Sequence, residues 1–223
     1  TVLEPGPLTT VQDAGRIGYA AQGYRSCGAA DCYAYQLGNA LLGNPETAAV
    51  LECTLCGAAL RFEADTVFAL TGADSRATLD DVPVPFYAPL YAKAGSVLHM
   101  GAALTGLRSY LAVGGGIDTP SVLGSRSTDV KCQIGGLAGR RLQKGDTLPT
   151  GVCDAKALWQ RITDRQLNRP LKDKLVCVGA HPMREQGAKC LPLLRAVPGP
   201  QQDTFSDAAR QAFTRSIYTL TPD

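Results

Sequence analysis

Short apolar runs bounded by turn-forming residues are the feature that most constrains the fold of this chain. The runs are separated by glycine, proline, aspartate and asparagine, which favour turns. They predict strands at residues 59–62, 67–71, 96–100, 108–113 and 147–148. Many short strands separated by turns are typical of a β-barrel or a β-sandwich. We therefore predict a mainly β fold with a few short helices.

One stretch has helical periodicity. Tyr33, Leu37 and Leu41 recur every four residues, and Asp31 stands where its charge favours the start of a helix. Gly43 predicts the end of the helix, because glycine readily adopts the left-handed cap. The pattern predicts a helix over residues 31–42 that plugs or flanks the β-structure.

Composition limits the classes of partner. With 223 residues, of which 45% are hydrophobic, the chain can bury one sizeable core and part of a second. A net charge of +2 gives no electrostatic reason to expect nucleic acid or an anionic membrane. No apolar run approaches the roughly 18–20 residues that span a bilayer. We expect a cytoplasmic protein whose partners are small molecules or proteins.

Eight cysteines raise the possibility of a metal site. Cys53 and Cys56 have zinc-like spacing, but their surroundings have a strand-like pattern and no second ligand pair accompanies them. His99 and His181 are isolated in the sequence. We therefore predict that the cysteines act as small apolar side chains, and that this chain holds no metal.

A glycine-rich loop over residues 114–128 follows the strand-like run 110–113. It opens with three glycines, Gly114, Gly115 and Gly116, and ends in a hydroxyl-rich segment around Arg126. It lacks the Gly-Lys-Ser/Thr ending of a P-loop, and no helical pattern follows as a dinucleotide fingerprint requires. Two interpretations stay open: an anion-binding loop in which Arg126 grips a carboxylate or phosphate, or a tight turn at the rim of a barrel.

The C-terminal third changes in composition. Trp159 and Ile162 predict a short amphipathic helix among mixed charges over residues 150–174. Residues 191–200 repeat the Pro-Gly-Pro opening of the N-terminus, and Ser206 then predicts the cap of a helix over 207–214, followed by a strand over 217–220. We predict the following domains: a barrel over 1–150, a connector over 151–190, and the incomplete start of a second barrel over 191–223.

Several motifs occur in a fixed order along the chain. They are Pro5-Gly6-Pro7, Thr10-Val11-Gln12-Asp13, Gly15-Arg16, Ser26-x-Gly28-x-x-Asp31, Gly38-Asn39, Leu51-Glu52-x-Thr54-Leu55 and the 114–128 loop. This order resembles the C subunit of 5-oxoprolinase, also described as allophanate hydrolase subunit 2 and as the KipA-type or biotin-dependent carboxyltransferase family. The resemblance covers residues 2–146 and resumes over 194–205.

The resemblance implies a fold of cyclophilin-like β-barrel domains. It also implies that the protein functions as a subunit of a complex. Such a protein acts with 5-oxoprolinase subunits A and B, the KipI-like B subunit being the expected direct partner, to open 5-oxoproline to L-glutamate with ATP. ATP would be bound by a partner subunit or shared with it. Family members usually continue through a second domain with Asp-Arg-Met-Gly-like and Gln-Thr-x-Gly-Gly-Tyr-like segments, which this sequence lacks, so we expect a shortened form of the family's protein.

Two alternatives accompany this expectation. One is the carboxyltransferase module of a biotin-dependent urea-type carboxylase. Because the chain has no Ala-Met-Lys-Met-like attachment site, it would carry no covalent biotin and would receive a carboxyl group from another protein. The other is a regulatory protein without catalysis that antagonises a kinase inhibitor.

Lactam opening requires cationic or N–H donors for anions and a carboxylate for proton transfer. The candidates for catalysis are Asp13 and Glu52, although Asp13 could instead form a structural ion pair with Arg16. The candidates for substrate or anion binding are Arg16, Ser26, Gly114, Gly115, Gly116, Ser125, Arg126 and Ser127. Because neither His99 nor His181 lies in a motif, the sequence argues against a serine-hydrolase triad at Ser26, Ser125 or Ser127.

Overall fold

A computed structural model of the protein describes residues 1–167 and 202–216. The chain divides into two compact units, Thr1–Ala180 and His181–Asp223.

Two five-stranded antiparallel sheets make up the described part of the first unit. One sheet has the order β1-β4-β9-β6-β7 and the other β2-β3-β10-β5-β8. The bounds are β1 Val2–Glu4, β2 Leu8–Gln12, β3 Val50–Thr54, β4 Ala59–Arg61, β5 Thr66–Gly72, β6 Thr78–Leu79, β7 Val82–Pro83, β8 Pro89–Ala92, β9 Val97–His99 and β10 Arg108–Val113. The predicted mainly β class is confirmed. Each sheet keeps two edge strands, so hydrogen bonding does not close the sheets into barrels.

The alternation of side chains along β10 separates two cores. Leu111 and Val113 point into a core shared by both sheets, whereas Tyr110 and Ala112 belong to a second core on the outer face of their sheet. Helix α1, Cys32–Leu42, covers that outer face against β5 and β10. The strand therefore presents one face to the sheet sandwich and the other to a helix.

Helix α1 forms where the sequence predicts it, but a different face is buried. Asp31 is its N-cap and accepts a 3.0 Å hydrogen bond from the N–H of Ala34, and Gly43 closes it at a φ of 69°. The residues packed against the sheet are Ala34, Tyr35, Gly38, Asn39 and Leu42. Tyr33, from the predicted apolar repeat, is 61% exposed. The face of α1 that contains Gly38 is the buried one, because glycine has no side chain and lets the helix approach the sheet closely.

Four of the five predicted strands are found, with bounds that differ by a residue or so. The strand predicted over residues 147–148 is wrong: this segment is a loop, and only Thr150 forms an isolated bridge, to Ile117. Pro149 has no N–H group to donate to a ladder, which explains why the apolar pair does not extend into a strand. The sequence patterns also do not predict β2 or the short strands β6, β7 and β8.

The amphipathic helix predicted near Trp159 is confirmed as α2, Ala155–Leu167. Its Leu158 is buried, and the Trp159 ring lies 5.8 Å from that of Tyr91. In the second unit, α3 spans Asp207–Arg215, with Ser206 as its N-cap as predicted. The predicted opening at 191–200 and strand at 217–220 lie outside the described residues. None of the helices in the described ranges is long and apolar enough to cross a membrane.

Candidate functional site

Asp13 binds the loop that follows β10. Its Oδ1 accepts hydrogen bonds from the hydroxyls of Ser125 at 2.7 Å and Ser127 at 2.5 Å, and from the N–H of Gly15 at 2.8 Å. Its Oδ2 accepts one from the N–H of Arg126 at 2.5 Å. Asp13 is at the end of β2, so these contacts fasten a distant loop to the sheet.

The ionisation of Asp13 agrees with this anchoring role. Burial raises the pKa of the Asp13 carboxyl, but the hydrogen bonds from Ser127 and Ser125 and from two backbone N–H groups outweigh it, so the pKa is lowered. A carboxylate whose oxygens are already occupied and whose pKa is depressed is a poor proton acceptor. The geometry favours an anchor over a proton-transfer group.

Arg16 is almost completely buried, with 1% of its surface exposed. Its Nε donates to the carbonyl of Val122 and its Nη2 to the carbonyl of Ser127, both at 3.1 Å. The ion pair considered between Asp13 and Arg16 is not formed; both side chains bind the same loop instead. Nη1 of Arg16 is buried and has no hydrogen-bond partner among the described residues.

Glu52 joins the sheet to the start of α1. Its Oε2 accepts hydrogen bonds of 2.8 Å from the N–H of Ala30 and from the hydroxyl of Tyr110, and its Oε1 lies 3.6 Å from Nη1 of Arg108. The Tyr110 hydroxyl in turn accepts from the N–H of Asp31 at 2.7 Å. Burial, together with the neighbouring Glu52 charge, raises the pKa of Tyr110. The hydroxyl therefore stays protonated and donates to the carboxylate.

A cleft of about 920 Å³ opens beside these residues. Of the residues predicted from the sequence, it brings together Arg16, Ser26 and Glu52. Ser26 is exposed in the cleft, and its carbonyl accepts from the N–H of Arg16 at 2.6 Å. Asp13, Ser125 and Ser127 do not line the cleft. They hold the loop against which Arg16 rests.

Most of the other lining residues were not predicted as site residues from the sequence, among them Gln12, Arg25, Arg108 and Asp129. Nη2 of Arg25 lies 2.5 Å from Oδ1 of Asp129, and this hydrogen bond holds the pKa of the buried Asp129 well below its usual range. Gln12 lies inside a predicted motif, which was a usable signal. Arg25 and Asp129 are 104 residues apart, so no local pattern reveals the pair.

The three glycines Gly114, Gly115 and Gly116 lie away from this cleft. Their N–H groups are occupied by the carbonyl oxygens of β5 and β10 and by the Asn44 side chain. Gly115 and Gly116 have φ values of 83° and 73°, and a Cβ on Gly115 would lie 2.6 Å from a backbone oxygen. These features favour the tight-turn interpretation over an anion-binding loop.

Arg126 likewise does not line the cleft. Its Nη2 donates to Asp118 at 2.6 Å, in a pair whose side chains are 36% and 53% exposed. Its Nε has no hydrogen-bond partner in the described structure. This guanidinium already has a carboxylate, which favours a role in bracing the loop.

Cys53 belongs to the core of the sheet sandwich and accepts a 3.4 Å hydrogen bond from the hydroxyl of Thr9. Burial raises the pKa of its thiol to about 11. Among residues 1–167 and 202–216, no group of three histidine, cysteine, aspartate or glutamate side chains is arranged to hold a metal ion.

Comparison with known proteins identifies the family. The model of the carboxyltransferase domain, subdomains A and B, matches residues 22–223. The chain belongs to this family. The resemblance inferred from the ordered motifs is thereby confirmed.

The relatives of this carboxyltransferase-domain chain include 5-oxoprolinase C subunits and urea amidolyases. It is 41% identical over 222 residues to the C subunit of 5-oxoprolinase from Escherichia coli, covering 98% of this chain and 64% of the relative. It is 41% identical over 145 residues to urea amidolyase of Saccharomyces cerevisiae, covering 65% of this chain and 8% of the relative. The chain thus spans less than two thirds of the length of these relatives.

Solved structures confirm the fold of the carboxyltransferase-domain chain. The crystal structure of the K. lactis urea amidolyase matches with a TM-score of 0.66 and 41% identity, covering 67% of this chain and 9% of that one. An identity of 41% indicates membership of the same family as well as a shared fold.

Proposed function

We propose that this chain is part of the C subunit of an ATP-dependent 5-oxoprolinase, which opens 5-oxoproline to L-glutamate together with partner subunits A and B. The observation that carries the proposal is its 41% identity, over 98% of its length, to the corresponding C subunit from E. coli. The name of that relative implies further subunits. The KipI-like B subunit is the proposed direct partner.

The chemistry of the reaction fits the described cleft. A lactam is stabilised by amide resonance, so transfer of the γ-phosphoryl group of ATP to the lactam oxygen would activate the ring carbon for attack by water. ADP would be the leaving group of that transfer. A first water would then add to the activated carbon and the C–N bond would break, which leaves γ-glutamyl phosphate. A second water would hydrolyse this acyl phosphate to L-glutamate and phosphate. Negative charge develops on the substrate, and cationic side chains stabilise it. The lining of the cleft includes Arg16 and Arg108.

The volume of the cleft is also compatible with a small ligand. Sites for small molecules usually measure about 300–1,000 Å³, and this cleft has about 920 Å³. A five-membered lactam fills only part of that space. We propose that a partner subunit covers the remaining opening and that ATP is bound by the partner or shared with it.

A second candidate function is the carboxyltransferase module of a biotin-dependent urea-type carboxylase. The match to urea amidolyase, with a TM-score of 0.66 to the K. lactis structure, favours it. In this case another protein carries the biotin, and the cleft receives the carboxyl group from it.

Reconstitution distinguishes the two functions. We would mix this protein with candidate subunits A and B, ATP and 5-oxoproline, and measure L-glutamate and ADP. Omitting this chain is the control, and glutamate release that is equal without it contradicts the leading proposal. A parallel mixture with urea, ATP, bicarbonate and a biotinylated carrier with its biotin carboxylase tests the second. ADP formation that depends on both urea and this chain supports it.

A further inference from the structure

We infer that the cleft binds the carboxylate group of a small organic acid at Arg16, and that 5-oxoproline is held by this group. The identity of the acid rests on the proposed function, whereas the carboxylate site rests on the structure. Three observations support the site: the neighbouring charges, the fixed position of Arg16 and the exposed apolar residues of the lining.

Among the described residues, the charges that line the cleft leave one cation without a carboxylate partner. Arg25 is paired with Asp129, and Arg108 lies near Glu52. Arg16 lies within 4.0 Å of no described carboxylate, although it is the most buried of the three arginines. A buried guanidinium without a counter-charge is strongly unfavourable. An anionic ligand in the cleft would supply that charge.

Arg16 is held in place before any ligand arrives. Two of its nitrogens donate to the carbonyls of Val122 and Ser127, and Asp13 fixes the same loop through the Ser127 hydroxyl. The remaining nitrogen, Nη1, is buried without a partner in the part of the chain that the structure describes. Because the side chain is already ordered, binding costs little conformational entropy. A planar guanidinium recognises a carboxylate better than a point charge does.

The balance of charge sets the class of anion. With Arg25 and Arg108 engaged by carboxylates, the described lining of the cleft has a surplus of one positive charge, which matches a monocarboxylate. The triphosphate of ATP carries several negative charges and would need more free cations. We therefore assign Arg16 to the carboxylate of the acid, and expect the partner subunit that covers the opening to supply the cations for the polyphosphate.

Part of the exposed lining of the cleft is apolar. Ile17, Tyr24 and Val130 line the cleft and are 80%, 37% and 49% exposed. They would contact the hydrocarbon part of an acid whose carboxylate reaches Arg16. A small acid with an apolar ring or chain satisfies both ends of the site, as ligand sites usually combine apolar walls with a few polar groups.

The test compares 5-oxoproline with 5-oxoprolinamide, which has the same ring but a neutral amide in place of the carboxylate. Binding to this protein is measured by isothermal titration calorimetry in a phosphate-free buffer. We expect the acid to bind and the amide to bind more weakly by about tenfold or more, the loss expected for one charged contact. Equal binding of the two compounds, or no binding of the acid, overturns the inference.

Variants assign the binding to Arg16. We expect Arg16→Met to abolish binding of the acid and Arg16→Lys to weaken it, since lysine keeps the charge but not the fork. Arg141→Met, at an exposed arginine outside the cleft, is the matched control and should bind as the wild type does. Undiminished binding by folded Arg16→Met overturns the inference. If that variant does not fold, the comparison of acid with amide still decides.

The outcomes separate this inference from the proposed function. Acid binding that depends on Arg16, in a protein whose reconstituted mixture releases no glutamate, supports the site and contradicts the function. Glutamate release by a protein that binds acid and amide equally supports the function and contradicts the site.

Discussion

The carboxylate of Asp13 accepts a 2.5 Å hydrogen bond from the hydroxyl of Ser127, 114 residues further along the chain. The carbonyl of the same serine accepts a hydrogen bond from Arg16. Asp13 therefore fixes the loop that holds Arg16 in position, although Asp13 itself does not line the cleft. This arrangement makes Asp13 a positioning residue whose loss affects stability first.

Replacing Asp13 by Asn tests this role. The amide keeps the shape but loses the charge that four donors share, so we expect the free energy of unfolding to fall by about 2 kcal/mol. Urea denaturation followed by circular dichroism measures the change. Asp81→Asn, at an exposed position with a φ of 65° that asparagine tolerates, is the control and should change stability by less than about 0.5 kcal/mol. Equal effects of the two substitutions contradict the anchoring role.

Acid stability should depend on Asp129. The hydrogen bond from the Arg25 guanidinium, acting against burial, lowers the pKa of this carboxyl in the folded state. A lowered folded-state pKa contributes stability above the unfolded-state pKa of about 3.9, and this stability is lost as the pH falls. We expect the free energy of unfolding to decline below about pH 5.

The matched variant for this pH dependence is Arg25→Met. Removing the guanidinium lets the pKa of Asp129 return towards its ordinary value, so stability should fall less steeply with decreasing pH than in the wild type. Urea titrations at a series of pH values measure the slopes, with Arg141→Met as the control. Identical slopes in Arg25→Met and the wild type would show that the pair contributes nothing to acid stability.

Local features of the fold could be predicted from the sequence because they depend on neighbouring residues. Asp31 and Ser206 cap helices, and Gly43 ends one, as their short-range chemistry requires. The buried face of α1 could not be predicted, because it depends on how closely Gly38 approaches the sheet. Apolar spacing alone favoured the stripe that includes Tyr33, which is exposed.

The contacts of the candidate site could not be predicted from the sequence either. The motifs pointed to Asp13, Arg16 and Glu52, but they did not show that Asp13 binds two serines while Arg16 has no carboxylate partner among the described residues. Arg25 and Asp129 meet across 104 residues of sequence. Such contacts exist only after the sheets have formed, so no local pattern encodes them.

Because α1 lies close to the sheet, we expect position 38 to tolerate only a small side chain. A Cβ at this position would lie 3.2 Å from that of Ala112. We expect Gly38→Ala to be nearly neutral, because helix propensity offsets the tight contact. Gly38→Val should destabilise the protein by about 2 kcal/mol, as overpacking typically does.

The control for Gly38 is Ala40→Val, on the exposed face of the same helix. It introduces the same β-branched side chain without contact to the sheet, so its cost should stay near about 0.5 kcal/mol. Thermal and urea unfolding measure both variants. A Gly38→Val effect no larger than that of Ala40→Val would contradict the packing of α1 described above.

The sequence leaves two roles open for Arg126: binding an anion or stabilising the loop over residues 114–128. Its guanidinium is paired with Asp118 in a half-exposed site, and its N–H donates to Asp13 whatever the side chain is. We expect Arg126→Ala to lower the free energy of unfolding by less than about 1 kcal/mol, as for other exposed ion pairs. Calorimetric binding of 5-oxoproline should be unchanged, whereas Arg16→Met should lose it. Loss of binding in Arg126→Ala at unchanged stability would instead make Arg126 the residue that grips the anion.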